Sequence, residues 1–144
     1  MILGLDISSS ITGITVLDEK GSILYCMHVD TRKEKGLIKK AKKVEEALFN
    51  LSCQVEINRI YVEQSLQTFR SGFSSANTLS VLSKMNGIVS WICYKVFGKE
   101  PLYLEAKSAR KQIGIKIPKG SKAKEVVMDF MVDNVEDFKV QYTR

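Results

Sequence analysis

Two carboxylates each follow a short apolar run of strand length. Asp6 ends the run at residues 2–5, and Glu63 ends the run at residues 60–62. Runs that are apolar on both faces are typical of covered strands, whose ends open onto the rim where α/β sheets bind ligands. Carboxylate oxygens are ligands that Mg²⁺ prefers. The pattern predicts a metal site at that rim, provided that the two strands are neighbours.

The elements between the two acids predict how they meet. Residues 12–17 and 22–28 are predicted strands, joined by a turn at residues 18–21, and they form an antiparallel meander with the first strand. A helix follows Gly36 and is long enough for a crossover, which allows residues 57–63 to lie parallel to the first strand. Neighbouring strands lie about 4.8 Å apart, so Asp6 and Glu63 could bind one cation.

A second helix is predicted over residues 77–97, before a short strand at residues 102–104. The apolar face of this helix is wider than one packing partner requires. We therefore expect one part to pack on the sheet and another to contact a second subunit.

Basic residues are concentrated after the fifth strand. The chain has 22 Lys and Arg against 16 Asp and Glu, a net charge of +6. No acid lies between residues 107 and 124, a stretch with seven basic residues: Lys107, Arg110, Lys111, Lys116, Lys119, Lys122 and Lys124. Its glycines and proline predict mostly loop, with Ser121 as the N-cap of a final helix ending at Val135. A basic loop leading into a helix N-terminus presents positive charge and N–H groups to phosphates.

The linker at residues 64–75 adds Phe69, Arg70 and Phe73 to the candidate nucleic-acid contacts. Exposed phenylalanines are costly unless something covers them, and stacked bases would do so. Packing of both rings on the following helix accounts for them equally well.

Composition limits the class of protein. At 144 residues, with 44% hydrophobic and 26% charged residues, the chain is expected to be one soluble domain. No apolar run is long enough to span a bilayer and no signal peptide is visible, so we expect a cytoplasmic protein of a bacterium or a phage-infected host. Three widely spaced cysteines and one histidine favour neither a disulfide framework nor a zinc site.

Three groups of residues together resemble the RuvC-type Holliday-junction resolvases of the RNase H-like superfamily, especially the small phage members. They are Leu3-Gly4-Leu5-Asp6 with Ser9, Thr12 and Gly13; Tyr61-Val62-Glu63-Gln64; and Lys107 with Gly114, Gly120-Ser121 and Lys124. The resemblance implies an α/β fold in which a mixed five-stranded sheet, three antiparallel strands and then two parallel ones, is flanked by helices.

The same resemblance implies a function. It describes a homodimer that binds four-way DNA junctions and nicks two strands symmetrically, using Mg²⁺ or Mn²⁺ held by the catalytic carboxylates Asp6 and Glu63. Asp6 would lie between two ions, with Glu63 on one of them. The family's basic residues fall on Lys107 and near Lys122 and Lys124, and its aromatic after the second carboxylate is matched nearest by Phe69 or Phe73. The helix at residues 77–97 would form the dimer interface, with Met85, Val89 and Trp91 as the predicted contacts.

The chain departs from the family at two places. Ile7 and Ser8 stand where the family often has proline and glycine. The family also completes its metal site with acids on a helix that follows the last one predicted here, whereas Asp133, Glu136 and Asp137 come too early in the chain. We therefore expect residues 1–144 to be a single nuclease domain without that C-terminal helix, which binds DNA and cleaves it poorly.

Two other classes stay open at this stage. A non-catalytic module of the same fold would bind nucleic acid without cutting it. An actin-like or sugar-kinase phosphotransferase would use Asp6 and the serines at positions 8–10 to hold ATP phosphates. This last class needs a second lobe with further phosphate and adenosine motifs, which the sequence lacks.

Overall fold

The computed structural model of the protein describes residues 1–64, 76–136 and 138–140. These residues form five strands and four helices: β1 (Ile2–Asp6), β2 (Ile11–Leu17), β3 (Ile23–Asp30), α1 (Leu37–Ser52), β4 (Arg59–Glu63), α2 (Ala76–Phe97), β5 (Leu102–Leu104), α3 (Ala106–Gln112) and α4 (Ala123–Asn134). Within the described ranges, no helix has the length and apolar character needed to cross a membrane.

The strands form one mixed sheet in the order β3-β2-β1-β4-β5. β1 pairs antiparallel with β2, and β2 pairs antiparallel with β3. On the other side β1 pairs parallel with β4, and β4 pairs parallel with β5. The predicted fold class, three antiparallel strands and then two parallel strands flanked by helices, is therefore confirmed.

The core lies between one face of this sheet and the helices α1 and α2. Leu3 and Leu5 of β1 are buried there, as are Ile60 and Val62 of β4. Because successive side chains of a strand point to opposite faces, the next residue of each strand faces away from the core. The burial of the apolar residues thus places both terminal acids of β1 and β4 on the open face.

The dimer prediction needs a correction. Met85 and Val89 are fully buried in the core of the chain, so neither side chain offers surface to a second subunit. Trp91 is 62% exposed on the opposite side of α2. Much of the wide apolar face of this helix belongs to the core: Met85, Val89 and Ile92 are buried there, and Ile88 and Val96 pack against it.

The basic region is more helical than predicted. Residues 106–112 form α3, where mostly loop was expected. The predicted N-cap of α4 is also wrong: the cap is Lys122, and no side-chain bond closes it. Ser121 instead donates its N–H to the carbonyl of Pro118, which closes a turn in which Gly120 has a φ of 89°. The glycine and proline shape this turn and delay the start of the helix.

Candidate active site

The two predicted ligand carboxylates lie side by side. Leu5 pairs with Val62 in the parallel ladder between β1 and β4, so that Asp6 and Glu63 are the next residues of adjacent strands. Paired residues of parallel strands point to the same face, here the face opposite the core, and their backbones lie about 4.8 Å apart. Burial raises the pKa of Glu63, and the negative charge of Asp6 close by raises it further. Both acids line one open cleft of about 740 Å³.

A glycine keeps this cleft open on the β2 side. Gly13 is the residue opposite Asp6 in the antiparallel ladder. A Cβ atom at this position would lie 3.7 Å from the Cβ atom of Asp6, so a larger side chain would stand against the carboxylate. The absence of a side chain at Gly13 leaves Asp6 accessible from the cleft.

The connection from Asp6 to β2 is held by its own polar groups. The hydroxyl of Ser8 donates to the carbonyl of Ile11 at 2.7 Å and accepts the N–H groups of Ser10 and Ile11. The buried Thr31 donates its hydroxyl to the carbonyls of Ser9 and Ser10. The Ser8 hydroxyl is therefore occupied within the loop, which argues against the phosphotransferase interpretation, in which this loop would hold ATP phosphates.

Two cations face the carboxylates across the cleft. Arg110 of α3 and Lys124 of α4 line the same cavity as Asp6 and Glu63. The pKa of Glu63 is raised above its ordinary value, first by partial desolvation and then by the negative charge of Asp6; the charges of Arg110 and Lys124 act in the opposite direction. The site thus combines two mutually repelling carboxylates with positive groups that favour an anion close by.

A second cavity, of about 520 Å³, lies on the other side of Arg110. Four of the predicted basic residues line it: Lys107, Arg110, Lys111 and Lys116. Arg110 and Ala123 line both cavities, so the two are neighbours. We call the second cavity the basic pocket. Its charge, beside the carboxylates, favours a polyanion that runs across both.

The remaining predicted DNA contacts lie outside the two cavities or outside the described residues. Lys119 and Lys122 are exposed and line neither cavity, and Lys122 forms an exposed ion pair with Glu125 at 2.9 Å. Phe69, Arg70 and Phe73 lie outside the described residues. The charge pattern of the sequence alone could not separate these lysines from those of the pocket.

The structure adds an apolar wall that the sequence reasoning missed. Val127, Met128 and Met131 of α4, together with Phe138, line the cleft that contains the two acids. No residue of α4 is fully buried. The helical spacing of residues 127 and 131 could have indicated one shared face, but only the position of α4 shows that this face borders the site.

The donor set fits a hard divalent cation. Two carboxylates supply oxygen ligands, and a cation between them would cancel their mutual repulsion, which adds to burial in raising the pKa of Glu63. Within the part of the chain that is described, no three His, Cys, Asp or Glu side chains are grouped so that they could hold a metal. Mg²⁺ usually keeps several water ligands besides one or two carboxylates, so the two acids suit it.

Comparison with solved structures decides the fold. The protein is similar to Thermus thermophilus RuvC in complex with a Holliday junction substrate, with a TM-score of 0.72 and 12% sequence identity. The similarity covers 97% of this chain and 82% of that one. The fold is that of RuvC. A second Thermus thermophilus RuvC structure gives a TM-score of 0.63 at 13% identity, over 97% of this chain and 84% of that one.

A third solved structure is also similar to this chain. The yeast mitochondrial Holliday junction resolvase Ydc2 gives a TM-score of 0.54 at 16% identity, over 92% of this chain and 60% of its own. No protein-family model matches the sequence, and no curated protein matches it. The RuvC-type fold is therefore established by the backbone and not by sequence similarity.

Divalent cations should stabilise the protein through the two acids. At a Mg²⁺ concentration ten times the dissociation constant, binding to the folded state adds about 1.4 kcal/mol, which raises the melting temperature by about 4 °C. Asp6→Asn and Glu63→Gln should each abolish this rise in a thermal melt. Asp129→Asn, which removes an exposed acid of α4 outside the cleft, should keep it. An equal rise in all four proteins would contradict the site.

Without metal, Glu63 should make stability fall as pH rises. Because its pKa is higher in the folded state, that state binds more protons between the unfolded and folded pKa values, and ionisation in this window costs stability. Glu63→Gln removes the cost, so its free energy of unfolding relative to wild type should increase from about pH 4 to pH 8. Urea unfolding in chelator measures this difference. A difference that is constant over the range would contradict the assignment.

Proposed function

We propose that this protein is a divalent-metal-dependent endonuclease that nicks four-way DNA junctions. The observation that supports the proposal most is the cleft in which Asp6 and Glu63 face Arg110 and Lys124 on a RuvC-type fold. Acidic side chains alone would repel a phosphodiester, and basic side chains alone would bind it without catalysing its hydrolysis. The combination favours both binding and hydrolysis of a phosphodiester.

The chain's own groups have separate tasks in this proposal. Arg110 and Lys124 hold the phosphate through charge-assisted hydrogen bonds, while Asp6 and Glu63 hold the cation. Mg²⁺ or Mn²⁺ bound there supplies Lewis acidity and an activated water. The hydrogen bonds of Ser8 and Thr31 fix the loop after Asp6, so its carboxylate is positioned before substrate arrives.

The basic pocket extends the contact with DNA away from the cut. Lys107, Lys111 and Lys116 would bind backbone phosphates beyond the one in the cleft. Such contacts supply affinity and position the duplex, and they carry no sequence information. Selectivity for a junction then comes from the arrangement of two active sites and from the segment with Phe69 and Phe73.

A homodimer is part of the proposal because symmetric nicking of two strands requires two active sites. The exposed side of α2 provides a candidate contact surface. Trp91 and Tyr94 are 62% and 49% exposed, and their ring centroids lie 6.0 Å apart. Exposed neighbouring aromatics of this kind are typical of interfaces between proteins.

A non-catalytic DNA-binding module is the second candidate. The observation in its favour is the site with two acids and no third His, Cys, Asp or Glu grouped with them among the described residues. Two carboxylates hold a cation less firmly than a larger set does. Metal-dependent nicking separates the two candidates.

Asp6→Asn should bind a four-way junction like the wild type and lose nicking by at least about a hundredfold, since it removes a metal ligand but keeps the cations of the cleft and the basic pocket. A gel-shift assay and a nicking assay with Mg²⁺ or chelator measure the two properties. Nicking by the variant at the wild-type rate would refute the metal site. Junction binding without nicking by the wild type would favour the non-catalytic module.

Lys116→Ala should weaken junction binding more than Lys119→Ala. Both are exposed lysines of the same loop, but only Lys116 lines the basic pocket. Loss of one phosphate contact lowers the slope of log K against log salt by about one. Fluorescence anisotropy over a salt series should show this for Lys116→Ala alone. Equal slopes for the two variants would exclude the pocket as the DNA contact.

A further inference from the structure

Asn86 of α2 is a buried polar residue whose side chain contacts the backbone of Glu63. It is only 6% exposed, and its Nδ2 donates a hydrogen bond to the Glu63 carbonyl at 3.3 Å. Its Oδ1 is buried and has no hydrogen-bond partner among the described residues. The bond joins residues 23 positions apart, on α2 and at the end of β4.

The bond from Asn86 is one of two hydrogen bonds that hold the peptide group between Glu63 and Gln64. The N–H of Gln64 donates to the carbonyl of Leu104 in β5 at 2.8 Å. The carbonyl of Glu63 belongs to the same peptide and points the opposite way, and the ladder with β1 has its last pair at Leu5 and Val62. Asn86 donates to this carbonyl just past the end of the ladder. The peptide after Glu63 is thus held by β5 on one side and by α2 on the other.

Asn86 is a buried polar residue among apolar ones. The neighbouring buried residues of α2 are Met85, Val89, Ile92 and Cys93, all of them apolar or weakly polar. An amide with an unpartnered buried oxygen costs free energy that an apolar side chain would avoid. The compensation visible in the structure is the bond to Glu63.

We propose that Asn86 is a positioning residue for the metal site, acting through the backbone of Glu63. This inference rests on the proposed function, in which Glu63 is a metal ligand. Asp6 and Glu63 end adjacent strands, so their spacing depends on where each strand terminates. By holding the last peptide of β4, Asn86 keeps the Glu63 carboxylate beside Asp6. Groups that orient metal ligands in this way raise metal affinity without touching the ion.

The test compares Asn86→Leu with Val89→Ala, a control that also alters a buried side chain of α2 but makes no contact with Glu63 through a hydrogen bond. The first readout is the Mg²⁺ dissociation constant, obtained by fitting the rise of the melting temperature over a Mg²⁺ series. We expect Asn86→Leu to raise this dissociation constant about tenfold or more and Val89→Ala to leave it unchanged. Asn86→Ala removes the same amide with a smaller side chain and should behave like Asn86→Leu, so the test survives if one variant does not fold.

The second readout needs no metal. In chelator, the Gln64 amide should exchange its hydrogen faster in Asn86→Leu than in Val89→Ala, because its peptide has lost one of its two supports. The two rates are compared after correction for the difference in global stability between the variants. Equal Mg²⁺ dissociation constants for the Asn86 and Val89 variants would overturn the role of Asn86. A wild-type protein with no Mg²⁺-induced shift would instead overturn the proposed metal site.

Discussion

The parallel pairing of β1 with β4 is the constraint on which the candidate site depends. The register that aligns Leu5 with Val62 also makes Asp6 and Glu63 neighbours, although they are far apart in sequence. This register is fixed by the core, since Leu3, Leu5, Ile60 and Val62 all face α1 and α2. A shift by one residue would turn these apolar side chains to the open face and the acids inward. The packing of the core therefore positions the carboxylates.

The supports around the two acids come from different parts of the fold. The loop after Asp6 is bonded to the end of β3 and to α1: Thr31 donates to its carbonyls, and the Lys40 ammonium donates to the carbonyl of Ser9. The peptide after Glu63 is bonded to β5 and α2. The end of β1 is thus held by two elements that do not pair with it, and the end of β4 is held by its neighbour β5 and by α2. Such supports keep two like charges close together despite their repulsion.

The electrostatic character of the site follows from its two walls. The sheet contributes negative charge, and α3 and α4 contribute Arg110 and Lys124. Neither wall alone would bind a phosphodiester and a cation together. The basic pocket continues the positive wall past Arg110, so an extended polyanion can run from the cleft across the surface of α3. The fold is shared with RuvC at 12% identity, which shows how little of the sequence this backbone requires.

The sequence by itself determined the strands, the first two helices and the pair of acids, because these depend on local periodicity. Runs that end in Asp6 and Glu63 indicate strand ends, and a crossover helix between them implies parallel neighbours. Helix α3 was missed, since Gly114, Pro118 and Gly120 all follow it and gave the whole region a loop-like composition. Short helices without strong periodicity are stabilised by their surroundings more than by propensity.

Only the tertiary structure decided which residues of each class line the candidate site. Seven basic residues have the same chemistry in the sequence, yet Arg110 and Lys124 face the acids and Lys119 does not, because the placement of α3 and α4 selects among them. Met85 and Val89 turned out to be core residues, since the sheet and α1 cover that side of α2. The hydrogen bond from Asn86 to Glu63 has no signal in the sequence, because it joins two elements whose contact depends on packing over the whole domain.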